Sequence, residues 1–276
     1  MATTRKRPAG AAPAKAARAG AAHPSESSLY VNSVDKAFRI LSVFQVSRRR
    51  LSLSQIATLA ELDLSSAQRF TFTLQHLDLL RKDAVTKLYE LSPRMLDFAH
   101  RYIASNDFVN RATPYAQQLA LETEETVNVT TLDGTEVVFL QRFVSRHVLT
   151  PEVIVGSRLP AYCTSSGLAM LSALPDEQAR EILQASTLER HTQYTVTSLP
   201  EIMKRLKAIR EVGYAHTENE MFLGDIATAV PIVGPDGQLA GAINVAVAGQ
   251  RWKGGEDEAR FSSLLLSTGR AISGRL

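Results

Sequence analysis

One cysteine, Cys163, stands in 276 residues. An internal disulfide is therefore excluded, as is any zinc or iron–sulfur site built on several thiolates, and a reducing, cytoplasmic setting is expected. No metal or other cofactor is implied. Also missing is any apolar run of the roughly 18 residues that a membrane span requires, so no membrane contact is expected. The first 24 residues hold Arg5, Lys6, Arg7, Lys15 and Arg18 among Ala, Gly and Pro, without the apolar stretch of a secretory leader. Residues 2–22 have no aromatic side chain, and such a tract buries too little surface to offset its chain entropy. A disordered basic tail is expected over residues 1–28.

What is present is ordinary for a globular protein: 45% hydrophobic and 21% charged residues, enough chain for two domains with separate cores. The net charge of +3 conceals an asymmetry. Residues 1–105 carry 16 Lys and Arg against 8 Asp and Glu, the remainder 15 against 20. A basic N-terminal half attracts a polyanion by counterion release, and an acidic remainder does not.

From Val34 to Val46 the apolar residues recur at helical spacing, with Asn32 or Ser33 available as N-cap. Ser52-Leu53-Ser54-Gln55 has the spacing of a capping box ahead of Ile56, Leu59 and Ala60. Ser65-Ser66-Ala67-Gln68 repeats it ahead of Phe70, Leu74 and Leu77, with Ser65 as the expected cap and the first-turn amides directed at a phosphate. Two short helices joined by Glu61–Leu64 cross steeply in a helix-turn-helix. The second then presents Ser66, Gln68, Arg69, Thr71, Thr73 and His76 on a free face. Polar residues 81–87 between Leu79-Leu80 and Leu88–Leu91 read as a hairpin with a basic tip. A winged helix-turn-helix is thus expected over residues 29–92 and a linker helix over 93–106. The candidate contacts to double-stranded DNA are Ser65, Ser66, Gln68, Arg69, Thr71 and Thr73, with Arg69 suited to guanine and Gln68 to adenine, and Lys82 and Lys87 on the wing for the backbone.

Residues 107–276 mix helices and strands. Helices are expected at 109–122, 164–172, 176–184, 199–211 and 256–273. Strands are expected at 126–132, 136–143, 214–218, 226–233 and 239–248, with turns at Asp133-Gly134 and Pro235-Asp236-Gly237. The class is α+β, with an antiparallel sheet flanked by helices. Cys163 to Gly167 precede a helix whose positive end suits a carboxylate. Asn244 is an amide within an apolar strand and needs a partner. Catalysis is the weaker reading. Cys163 with His147, His191 or His216 would be a nucleophile and base, but a lone cysteine is usually a small hydrophobe. The serines of 164–167 lack the first glycine of G-x-S-x-G. Asp225 and Glu218 as paired carboxylates compete with ordinary loop charges. A rival class is an enzyme or carrier that binds a small molecule and whose winged helix binds protein.

The stretches LSLSQIA, SSAQRFTFTL, LYELSPRMLDFA, RLPAYCTSSGLAML and GDIATAVPIVGPDGQLAGAINVAV resemble the IclR (isocitrate lyase regulator) family over about nine tenths of the chain. Within it the sequence looks most like the branch controlling aromatic-acid catabolism, the protocatechuate and p-hydroxybenzoate regulators. The resemblance implies a GAF-like or profilin-like C-terminal domain holding a small organic acid. The residues it assigns to that effector are Val148, Leu159, Ser165, Ser166, Thr217, Asp225, Ala227, Asn244 and Ala246. It also implies a homodimer, pairing into a homotetramer, on a pseudopalindromic operator, with RNA polymerase as a further partner. Asp63 and Asp78 stand where many members have glycine, and Leu168 where a basic residue is common, which bears on two turns and on the rim of the pocket.

Overall fold

A computed structural model describes residues 27–147 and 153–274. These fall into two compact units divided between Arg101 and Tyr102. Apart from Ser27 and Ser28, the expected basic tail lies outside the described residues, as does Val148.

The first unit begins with α1 (Asn32–Ser42), α2 (Leu53–Leu59) and α3 (Leu64–His76), followed by β1 (Leu80–Lys82) and β2 (Tyr89–Leu91). Helix α1 starts and stops earlier than its periodicity predicts. Its N-cap is Val31, with no side-chain cap, and a turn joining Gln45 to Arg48 takes the chain away before Val46. The capping box of α2 forms as the spacing predicts. Ser52 Oγ accepts from the Gln55 N–H at 3.3 Å and Gln55 Oε1 accepts from the Ser52 N–H at 2.9 Å. Ser52→Ala should cost about 1 kcal/mol in a urea melt, with little change in far-UV circular dichroism.

Ile40, Ile56, Leu74 and Leu80 close the core of this unit. Arg39 ties α1 to the end of α2 through the carbonyls of Ala60 and Glu61. The hairpin pairs Leu80 with Leu91 and Lys82 with Tyr89. Its turn is held by Asp83, whose carboxylate accepts from the N–H groups of Val85 and Thr86; these bonds hold Asp83 below the usual carboxylate range.

Helix α4 (Met95–Ala104) carries the chain across the division between the units. The second unit contains α5 (Asp107–Thr123), β3 (Thr126–Asp133), β4 (Glu136–Phe143), β5 (Arg158–Pro160), α6 (Ser165–Ser172), α7 (Asp176–Ala185), α8 (Leu199–Val212), β6 (Ala215–Glu218), β7 (Asp225–Val233), β8 (Leu239–Ala248) and α9 (Gly255–Ser273). The six strands form one antiparallel sheet in the order β5-β4-β3-β8-β7-β6. The class is α+β. Strand β5 was not expected; only three residues long and ending in Pro160, it offers too short a pattern to read. Arg158 fastens it to the β3–β4 turn, reaching Asp133 at 2.6 Å and Glu136 at 2.7 Å.

The sheet is covered on both faces. Val127, Val129, Ile243 and Val245 pack with Phe108 of α5 and Leu265 of α9. The alternate residues of the same strands face the layer that contains Leu168, Met170 and Ile202 of α6 and α8. Strict alternation fails between Ile232 and Val233, where Ala240 is skipped, and again between Val129 and Thr130. Thr130 pairs with Phe139 but Val129 pairs with Gln141, so Leu140 is an extra residue, a β-bulge. Beyond it Arg142 pairs with Asn128 and lies on the α6 side of the sheet. Among the described residues no helix is long and apolar enough to cross a membrane.

Candidate functional site

Two regions bring together residues singled out by the sequence. The first is the outer face of α3. Its N-cap is Asp63 rather than Ser65: the carboxylate accepts from the Ser66 N–H at 2.8 Å and from the Ser65 hydroxyl at 2.6 Å. These bonds hold Asp63 well below the usual carboxylate range. A negative cap thus occupies the place expected for a phosphate, and Ser65 supports the cap instead of forming it. The aspartate that departs from the common glycine thereby has a structural task. Asp78, the other departure, adopts φ 58°, the left-handed region that glycine enters most easily.

Gln68, Arg69 and Thr73 are exposed and Ser66 is half-buried. Thr71 is a correction. It is fully buried and its hydroxyl donates to the Ala67 carbonyl at 2.8 Å, because the inward stripe is Ala67, Thr71 and Leu74 with Phe70 at its edge, and not Phe70, Leu74 and Leu77. Leu77 is accordingly 55% exposed, and Phe72 joins the outer face at 62%. His76, also on that face, lies with its ring 4.1 Å from that of Phe72. On the wing, Lys82 Nζ sits 4.9 Å from the centre of the Tyr89 ring, and Lys87 folds back to donate to the Ala84 carbonyl at 2.8 Å. An exposed helix face carrying Gln and Arg beside a hairpin with two lysines fits a major groove with flanking phosphates.

The second region is a pocket in the C-terminal unit, between the sheet and the start of α6, with about 530 Å³ of empty space when the open solvent at its mouth is counted. Eight of the nine residues that the resemblance assigned to an effector border it: Leu159, Ser165, Ser166, Thr217, Asp225, Ala227, Asn244 and Ala246. The sequence reading missed others that line it, notably Asn128, Phe139, Arg142 and Glu220. Leu168 is not at the rim but fully buried in the core beneath.

The start of α6 is shaped by packing. Thr164 caps it through a bond from the Gly167 N–H, and Gly167 lies so close to the Ala161 backbone that no side chain fits. Ser165 and Ser166 are buried at its first turn, and Ser166 Oγ has no hydrogen-bond partner among the described residues. Across the sheet floor, Asn128 and Asn244 face each other on β3 and β8, and Asn128 Nδ2 donates to Asn244 Oδ1 at 2.9 Å.

Two charges with opposed tendencies border the same space. Burial lowers the Arg142 guanidinium from its ordinary value, opposed by Asp225. Burial pushes Asp225 up to about 6 despite the attraction of Arg142. The folded chain therefore holds more protons than the unfolded chain between 3.8 and about 6, and stability falls as pH rises through that window. Asp225→Asn should flatten this slope, measured by urea unfolding at a series of pH values. Glu220, also lining the cavity, is already engaged by Arg205 through two bonds of 2.7 and 2.9 Å.

The catalytic alternatives lack their geometry. Burial pushes the Cys163 thiol up to about 12, and its sulfur contacts that of Met221 at 3.9 Å. His216 instead bonds Thr228 and Glu218, His191 stacks on Tyr162, and His147 accepts from Arg146. Glu218 is thus turned to His216, while Asp225 borders the cavity.

Comparison with known proteins matches a family model to each of the two units. Residues 33–84 match the family model described as the IclR helix-turn-helix domain, and residues 100–274 match the one described as bacterial transcriptional regulator IclR C-terminal. The chain is 29% identical over 267 residues to the Pca regulon regulatory protein of Pseudomonas putida, covering 96% of this chain and 90% of that one. It is 30% identical over 220 residues to the p-hydroxybenzoate hydroxylase transcriptional activator of Acinetobacter baylyi, covering 78% and 80%. A solved transcriptional regulator from Rhodococcus sp. RHA1 superposes with a TM-score of 0.78 at 28% identity, over 89% of this chain and 98% of that one. An IclR homologue from Microbacterium hydrocarbonoxydans, solved with 4-hydroxybenzoate, shares the fold with a TM-score of 0.73 at 23% identity, over 88% and 98%. With a helix-turn-helix in its N-terminal unit and a lined cavity in its C-terminal unit, this chain belongs to the IclR family and is a DNA-binding transcription regulator, not an enzyme.

Proposed function

We propose that this regulator works in the cytoplasm and that its operator binding is set by a small aromatic carboxylate held in the cavity of the C-terminal unit. The observation that carries this reading is Ser166: a hydroxyl 3% exposed and without a partner among the described residues, on the first turn of α6 beside the cavity. The first-turn N–H groups of a helix have no intrahelical acceptor, and the helix dipole favours an anion there. Phe139 and Leu159 supply apolar walls and Arg142 adds positive charge. The names of the Pca and p-hydroxybenzoate regulators, and the homologue solved with 4-hydroxybenzoate, support an aromatic acid.

The DNA contacts in this reading are Ser66, Gln68, Arg69 and Thr73 of α3, with Lys82 and Lys87 on the wing. Leu96, Phe98 and Tyr102 leave apolar surface uncovered on α4, which supports a homodimer on a pseudopalindromic operator, pairing further into a tetramer, with RNA polymerase as a further partner.

A thermal-shift screen of small carboxylates that includes protocatechuate and 4-hydroxybenzoate tests the sensor. At about one hundred times its dissociation constant a true ligand stabilises the folded state by roughly 2.7 kcal/mol, and Ser166→Val should remove most of that shift. A flat response across the whole panel sinks the sensor reading.

A further inference from the structure

We propose that the Asn128–Asn244 pair reads a hydroxyl group on the effector, which makes the ligand class a hydroxylated acid and not any carboxylate of suitable size. This rests on the cavity being the acid site. The two residues stand directly opposite each other on adjacent strands and share one hydrogen bond of 2.9 Å. Both are buried and both line the cavity.

Two side-chain amides together carry two carbonyl oxygens and two NH2 groups. One bond between them uses one oxygen and one N–H. Whichever way the amides are turned, the pair retains a carbonyl oxygen and an NH2 group for something else. The retained oxygen, Asn128 Oδ1, is buried with no partner among the described residues. An unsatisfied acceptor in such a place is costly, and apolar residues of similar size would pack these two positions without the cost. The neighbours on the same face of the sheet, Ala227 and Ala246, are small and also border the cavity, leaving room above the amides.

The pair therefore offers an acceptor and a donor side by side. A hydroxyl group donates and accepts at one atom and satisfies both. A carboxylate only accepts, and would set its charge against the carbonyl oxygen; a methyl ether or a halide does not donate. The acid group belongs at the start of α6, leaving the amide pair for the hydroxyl.

The test is calorimetric titration of the full chain with benzoate, 3- and 4-hydroxybenzoate and the two corresponding methoxybenzoates. In the unaltered protein the better hydroxybenzoate should bind at least about tenfold more tightly than both benzoate and its own methyl ether. In Asn128→Val/Asn244→Val, which leaves no orphaned amide, that ratio should fall to within about twofold while benzoate affinity persists. Acids that bind equally well with and without the hydroxyl, or a double variant that keeps the preference, would overturn the amide role and leave the acid site standing. If no benzoate binds at all, the acid site falls and the amide role with it. Should the double variant not fold, the hydroxyl-to-methoxy comparison in the unaltered protein decides alone.

Discussion

Arg69→Ala should weaken binding to the cognate operator by roughly 1–3 kcal/mol and relax sequence preference at one base position per half-site. The side chain is exposed on α3, less than two turns from the Asp63 cap that fixes the start of the helix, and its five donors suit the O6 and N7 edge of guanine. Lys82→Ala should behave differently. A phosphate contact carries no sequence information, so all duplexes should lose affinity alike, and the salt dependence should flatten by about one counterion. Thr71→Val is the internal control: its hydroxyl is spent on the Ala67 carbonyl inside the core, so base preference should not move. Binding isotherms on operator and scrambled duplexes at several salt concentrations separate the three. Equal, sequence-independent losses for Arg69→Ala and Lys82→Ala would remove α3 from the groove.

Gly167→Ala should destabilise the C-terminal unit by on the order of 3 kcal/mol and abolish ligand-induced stabilisation. The added methyl group meets the backbone of Ala161, which has no rotamer to yield, so either the turn at Ala161–Cys163 or the start of α6 must move. Both border the cavity, and the binding readout should therefore suffer beyond the loss of stability. Gly255→Ala at the start of α9 meets nothing within 4 Å, and should be neutral or slightly stabilising. A Gly167→Ala protein that melts normally and still responds to acids would show that α6 is not held where the cavity needs it.

The capped turns and the two sheet turns were legible because their signals are local. Ser52 and Gln55 bond as their spacing predicts, and Gly213 ends α8 with φ 83°. The phase of α3 was not legible. A threonine scores as polar, yet Thr71 hides its hydroxyl within its own helix, and Phe72 scores as core yet stands outside. The cap was misassigned for a related reason, since Asp63 and Ser65 both carry the right oxygen and only the backbone decides between them. In the cavity, Asn244 was readable as an amide within an apolar strand, and Asn128 offered the same signal in Thr126–Thr131 without being picked out. Arg142 was hidden more deeply. Alternation along β4 from Val137 and Phe139 points Gln141, not Arg142, toward the cavity, and only the shift in pairing reverses that.

That shift makes strand pairing, as well as residue type, part of the cavity's chemistry. Removing Leu140 would leave Phe139 and Gln141 opposite the adjacent residues Thr130 and Val129 and keep Arg142 opposite Asn128, whereas a ladder that kept Leu140 and paired it regularly would set Arg142 opposite Val127, turning the guanidinium away from Asp225 and into the hydrocarbon under α5 and α9. Among relatives, a one-position gap at Leu140 would therefore leave the buried cation in place, while a regulator that kept the residue and lost the bulge would have to draw its cation from another strand, and with it a different way of holding an acid.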